Sequence, residues 1–201
     1  ADKYSMPVII LGDGMLGQMM EPVEFAGSYP EVLPVRNRAL RGAKGRASRI
    51  IKTFTSNPAE LEELNWSLFR RYQLIKKDET TCETYMTDDA KLIVVAFGIG
   101  ARIAKGAIKN ARAAGRKVGL FRPITLWPFP TEKLQEMEKT CHNFLDFELN
   151  MGQMLEDVQL SLSDKASISF YGRPGGVTAL PDEILRVITR IYHQNGLDKK
   201  K

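Results

Sequence analysis

The chain has 201 residues, is 43% apolar and 26% charged, and carries a net charge of +5. These values describe a globular domain with an appendage, and no apolar run approaches the about 20 residues of a membrane helix. Two cysteines, Cys82 and Cys141, stand without a Cys-x-x-Cys pair, and His142 and His193 are the only histidines, which excludes a zinc or iron–sulfur site built by this chain and favours reduced thiols.

Ala1-Asp2-Lys3-Tyr4 lacks a basic-then-apolar signal pattern, and a cytoplasmic location is expected. Pro7-Val8-Ile9-Ile10-Leu11 is a continuous apolar run, the pattern of a strand buried on both faces, ended by Gly12-Asp13-Gly14. So early a strand has no room upstream for partners. With no initiating Met, the chain is expected to be the C-terminal part of something larger, trimmed or cut. Gly17-Gln18-Met19-Met20-Glu21 follows this run, and the same pattern recurs as Gly152-Gln153-Met154-Leu155-Glu156 after Phe144–Leu149. The flanks differ, so no internal repeat is read.

Pro22, Pro30 and Pro34 break up the stretch to residue 35. Arg36, Arg38, Arg41, Lys44, Arg46, Arg49 and Lys52 then place seven cations and no anion in 17 residues, leaving 22 cations against 24 anions elsewhere. The basicity is local and does not make the chain a nucleic-acid-binding domain. The preferred reading is a solvated connector lying on a partner subunit; Arg41, Lys44 and Arg46 are candidate contacts for phosphates or an acidic protein.

Asn57 as cap, Pro58 at the first helical position and Glu60, Glu62 and Glu63 open a long helix of about 58–80. Its stripe Leu61, Leu64, Leu68, Tyr72, Ile75 is expected to dock on a domain. From Ala90 strands alternate with helices: strand 92–97, turn Gly98-Ile99-Gly100, helix 101–114, strand 118–121, a proline-rich loop 123–130, a helix 132–140 capped by Thr131, strand 143–149, helix 152–162, strand 167–171, and a helix from Pro181 to about Gln194. This order predicts parallel pairing and a three-layer α/β domain.

Gly98-Ile99-Gly100 resembles the start of a dinucleotide fingerprint but lacks the third glycine and the ribose-binding acid. A plain strand-to-helix turn is preferred, with anion binding as the alternative. Trp127 and Phe129, stiffened by prolines, fit either a protein contact or a cap on the core. Arg173 fits an anion contact or, more commonly, a structural ion pair. Asp13, Glu21, Glu148, Glu156 and Asp157 lie near strand ends. Their spacing pairs none of them for acid–base work and suits helix N-terminal charge and loop hydrogen bonds.

Several segments together resemble one family. Pro7–Pro22 resembles the end of the pyrimidine-binding domain in the α subunit of 2-oxoacid:ferredoxin oxidoreductases. Gly42–Arg46 and Pro58–Glu63 resemble its connector, most like the 2-oxoisovalerate (branched-chain) type. Arg122–Pro130, Glu148–Met154 and Tyr171–Gly176 resemble its C-terminal domain, which is similar to that of transketolase. The resemblance implies residues 1–35 as a pyrimidine-binding remnant, 36–88 as connector and long helix, and 89–197 as the transketolase-like α/β domain. It implies oxidative decarboxylation of a 2-oxoacid to an acyl-CoA, with thiamine diphosphate, magnesium and iron–sulfur clusters in the whole complex. The implied partners are a thiamine-binding β subunit, a cluster-bearing or γ subunit, ferredoxin and coenzyme A, in a homo- or hetero-oligomer. No catalytic residue carries over. The chain alone is expected to be inactive, to bind no thiamine diphosphate and to touch neither membrane nor nucleic acid. Against this stand a freestanding anion or nucleotide binder and a pure interaction module without enzymatic activity.

Overall fold

The computed structural model describes residues 1–20, 22–25, 27, 40, 42–52 and 54–198. They form two compact units: Ala1–Gln18 with Gln73–Lys201, and Met19–Tyr72.

The first unit is built on a five-stranded sheet. The strands are β1 (Cys82–Tyr85), β2 (Leu92–Val95), β3 (Val118–Pro123), β4 (Asn143–Glu148) and β5 (Ser167–Gly172), in spatial order β1-β3-β2-β4-β5. Strands β3, β2, β4 and β5 are parallel, as the alternation requires, and β1 joins the edge antiparallel to β3. The sheet therefore begins before residue 89, where the α/β domain was expected to start. β2 reads Leu-Ile-Val-Val and is buried at every position, because helices cover both faces of the sheet.

On one face, α2 (Gly98–Ala113) and α5 (Pro181–Gln194) pack on Leu92, Val94, Val118, Leu120, Leu145 and Phe147. On the other, α3 (Thr131–Glu138) and α4 (Gln153–Ser161) pack on Ile93, Val95, Phe121 and Phe144. The expected three-layer domain is thus the one observed. Gly119 permits a close crossing: a methyl group there would lie 2.7 Å from the Met86 carbonyl oxygen and 2.9 Å from the Thr87 methyl. Arg112 ties the same region together. It donates to Val118 O (2.8 Å) and Met86 O (2.6 Å) and pairs with Asp89 (2.7 Å).

Three expectations are corrected. Pro7–Leu11 is not a buried strand: it is extended without a strand partner among the described residues, and Val8 to Leu11 are exposed. An apolar run becomes a buried strand only where neighbours satisfy its backbone. Gly98-Ile99-Gly100 is not a turn before α2 but its first turn, and Gly98 takes φ +55°, a conformation that suits glycine. Thr131 is the first residue of α3, not its cap; its hydroxyl hydrogen-bonds Ser161 Oγ at 3.0 Å.

Ahead of the sheet, Leu16–Gln18 forms a single 3-10 turn, nucleated by Asp13 Oδ1, which accepts from the Met15 and Leu16 amides at 2.9 Å each. Lys3 and Tyr4 grip Asp78 and Glu79; the Tyr4 hydroxyl donates to Glu79 at 2.6 Å and to Asp78 at 2.9 Å.

In the second unit, Asn57 Oδ1 accepts from the Ala59 amide at 3.0 Å and caps helix α1, which runs Pro58–Glu79 and so has its residues from Gln73 on, Ile75 among them, in the first unit. Within its stripe Leu61, Leu64, Leu68 and Tyr72 are half-buried, and only Ile75 is buried outright. Trp66 and Phe69 are exposed and meet edge to face at 5.9 Å.

Candidate functional site

The chain leaves β2 through α2 toward β3, and leaves β4 through α4 toward β5 on the opposite face. The carboxyl ends of β2 and β4 therefore form the point at which the connections diverge, where open α/β sheets keep their ligand crevices. A cleft of about 190 Å³ lies there, lined by Leu11, Gly12, Asp13, Leu16, Phe97–Gly100 and Glu148–Asn150.

Two helix N-termini bear on this crevice, and they are treated differently. The start of α4 is fully engaged. Asn150 Oδ1 accepts from the Gly152 and Gln153 amides at 2.7 and 3.2 Å. Glu148 Oε2 accepts from Met154 and Oε1 from Leu155, each at 3.0 Å, and Asn150 Nδ2 donates to Glu148 at 2.8 Å. Glu148 is 1% exposed, so a buried carboxylate at the positive end of a helix holds four amides together with its neighbour. This is the role in helix capping that the sequence assigned to carboxylates at strand ends.

The start of α2 has no side-chain cap and no acid in its first turn. Asp13 faces it instead. A methyl group built on Gly98 would sit 3.8 Å from Asp13 Oδ2 and 3.9 Å from Leu16. The residue that shapes the 3-10 turn with one oxygen thus turns the other toward the α2 N-terminus.

Asp146, two residues before Glu148 on β4, was not anticipated. It is fully buried, and neither carboxyl oxygen has a hydrogen-bond partner. Burial, with the Glu148 carboxylate nearby, pushes its pKa up to about 9. An acid inside the apolar run Asn143–Glu148 was the available signal. Burial, then Glu156 and Glu148, also raise the Asp157 carboxyl.

The remaining candidates do not converge on the cleft. Trp127 is 57% exposed, whereas Phe129 packs into the α3–α4 core, so only Phe129 caps the core. Thr125 braces this loop by donating to Pro128 O at 2.8 Å. Arg173 pairs with Glu183 at 3.4 Å, and Glu183 also accepts from the Tyr171 hydroxyl. Lys44 and Arg46 are exposed in the other unit, where Arg46 donates to Gly42 O and Ala47 O of its own turn. Arg41, like Arg36, Arg38 and Glu21, lies outside the described residues.

The donor set does not fit the family's inorganic groups. Cys141 is buried, Cys82 is half-buried, and no cluster of three metal-ligating side chains occurs among the described residues. The cleft presents two carboxylates, Asp13 and Glu148, and no cation, which does not suit a diphosphate.

Residues 90–184 match the family model described as pyruvate:ferredoxin oxidoreductase core domain II. Over 98% of its length the chain is 40% identical to ketoisovalerate oxidoreductase subunit VorB of Methanothermobacter marburgensis, of which it covers 55%. The chain resembles 2-oxoacid:ferredoxin oxidoreductase subunits. A second relative, 2-oxoglutarate synthase subunit KorA of the same organism, is 27% identical over 94% of this chain and 57% of its own. A solved 2-oxoglutarate:ferredoxin oxidoreductase from Magnetococcus marinus superposes with a TM-score of 0.61 at 22% identity, covering 68% of this chain and 24% of that one, which supports the fold. The chain spans about half the length of the oxidoreductase subunits it matches. No helix among the described residues is long and apolar enough to cross a membrane.

Proposed function

We propose that this chain is part of the α-type subunit of a thiamine diphosphate-dependent 2-oxoacid:ferredoxin oxidoreductase acting on 2-oxoisovalerate. The observation that carries this reading is the continuous 40% identity to a ketoisovalerate oxidoreductase subunit across nearly the whole chain. Within that enzyme its role is scaffold and subunit interface. Thiamine diphosphate and magnesium would sit on a β subunit and the clusters on another, since the residues here do not fit them. The cofactor supplies the decarboxylation chemistry, and this chain positions the subunits that hold it. Residues 1–35 are read as the end of a pyrimidine-binding domain, 36–81 as connector and 82–197, from β1 onward, as the C-terminal α/β domain, in a cytoplasmic complex.

A freestanding anion or nucleotide binder has less support. It would use Gly98 and Gly100 at the uncapped start of α2, but the Asp13 carboxylate faces that point and would repel an anion.

Affinity capture of the tagged protein from its native source tests the proposal. The expected partners are a thiamine-binding and a cluster-bearing subunit. The captured complex should reduce ferredoxin with 2-oxoisovalerate and coenzyme A. A monodisperse lone protein would overturn the reading. So would micromolar binding of thiamine diphosphate by this chain alone in calorimetry.

A further inference from the structure

We infer that residues 42–52, with Phe54, form a docking strip for an acidic protein surface with an apolar centre, a partner chemistry that rests on the subunit reading and sharpens it. Lys44, Arg46, Arg49 and Lys52 are exposed, and no anion occurs between Arg36 and Ala59 to neutralise them. Interleaved with these cations, Ile50, Ile51 and Phe54 are 79%, 85% and 69% exposed. Three large apolar side chains open to water in one short stretch are unusual for a solvated linker.

The backbone supports the same reading. Gly42–Arg46 is held as a turn: the Arg46 amide donates to Ala43 O at 3.2 Å, and the Arg46 guanidinium donates to Gly42 O at 2.6 Å and Ala47 O at 3.0 Å. Arg46 is thereby spent on shaping the turn, while Lys44 stands at its tip and Arg49 and Lys52 flank the apolar pair. After the turn, residues 47–52 form neither helix nor strand. Their apolar side chains are presented by chain without regular structure.

The composition selects among occupants. A strip of cations without anions is complementary to carboxylates, and complementarity of that kind steers association and fixes register. Nucleic acid is the weaker fit, because a single aromatic, Phe54, offers no stacking platform. A membrane surface is the weaker fit as well, because the strip lacks the amphipathic helix that such binding uses.

The test compares the 201-residue chain with a strip variant, Lys44→Glu/Arg49→Glu/Lys52→Glu, and with a control variant of equal charge, Lys109→Glu/Lys139→Glu/Lys165→Glu. All six positions are exposed, so both variants retain the fold. Poly-L-glutamate, duplex DNA and phosphatidylserine vesicles serve as probes at fixed ionic strength. The expected result is poly-L-glutamate binding that weakens about tenfold or more in the strip variant and changes less than about threefold in the control. Equal loss in both variants overturns the proposal, as does tighter binding of DNA or vesicles than of poly-L-glutamate. Capture from the native source then separates two failures. If the strip variant recovers the same partners as the unmodified chain, the strip is not a docking surface and the subunit reading stands. If neither recovers partners, the subunit reading itself fails.

Discussion

Asp146→Asn should make the stability of the α/β domain less dependent on pH, by an amount that one proton fixes. Asp146 is 0% exposed, meets no donor at either carboxyl oxygen, and has its folded pKa pushed up to about 9 by burial and then by Glu148, whose carboxylate favours the protonated form. In the unfolded chain its pKa returns to about 3.9. The folded value is the raised one, so the group's contribution to stability is complete below about pH 4 and is lost as pH rises toward 9. Between those limits the unfolded carboxyl is ionised and the folded one is not, and unfolding releases one proton. The slope is then about 1.4 kcal/mol per pH unit for as long as the pH stays below the folded value. From pH 5 to pH 8 the stability of Asp146→Asn relative to the unmodified chain should rise by about 4 kcal/mol. The absolute offset, which includes the cost of an unpaired amide, does not enter this difference. Urea unfolding in a Trp66→Phe background, followed by Trp127 fluorescence, reports on this unit alone. A difference that stays flat across pH 5–8 within about 0.5 kcal/mol would show that Asp146 ionises freely in the folded state, and the reasoning would fail.

Glu148→Ala removes two charged-acceptor hydrogen bonds from buried amides and should destabilise the same unit by about 3–5 kcal/mol in urea titrations, against about 1 kcal/mol for Asn150→Ala. Gly119→Ala drives a methyl group against the Met86 carbonyl and should cost about 1–3 kcal/mol by the same measurement. The hydrogen bond to Glu183, then burial, raises the Tyr171 phenol, so Glu183→Gln should lower its pKa in an ultraviolet titration of tyrosinate. Cys82, half-buried, should react with a disulfide reagent in the native chain, while Cys141, 2% exposed, should react only on unfolding.

The layers of the α/β domain were legible because their signals are local. β2 is an unbroken apolar run, α5 opens at Pro181 with acids in its first turn, and each helix of this domain follows a strand. What failed needed information from a distance. Pro7–Leu11 has a buried strand's composition without a partner among the described residues. β1, Cys-Glu-Thr-Tyr, has the polar look of a connector and is a strand because β3 offers it an edge. The nearness of Asp13 to Gly98, some 85 residues apart in the chain, is likewise invisible to local reading. The cleft could not be assembled from sequence, since its walls come from 11–16, 97–100 and 148–150, and only the divergence of the connections after β2 and β4 unites them. The carboxylates near strand ends could be named, but the split between Glu148, committed to α4, and Asp13, facing α2, required coordinates.

The Glu148–Asn150 clasp also bears on what the shared motif means. Glu148-Leu-Asn-Met-Gly-Gln-Met154 is among the stretches by which this chain resembles oxidoreductase α subunits, yet the side chains of Glu148 and Asn150 are consumed in fastening the end of one strand to the start of the next helix. In this chain those two side chains act as a clasp. Four amides held by two side chains tie the end of β4 to the start of α4. A likeness carried by such letters speaks for a common joint and not for a common substrate.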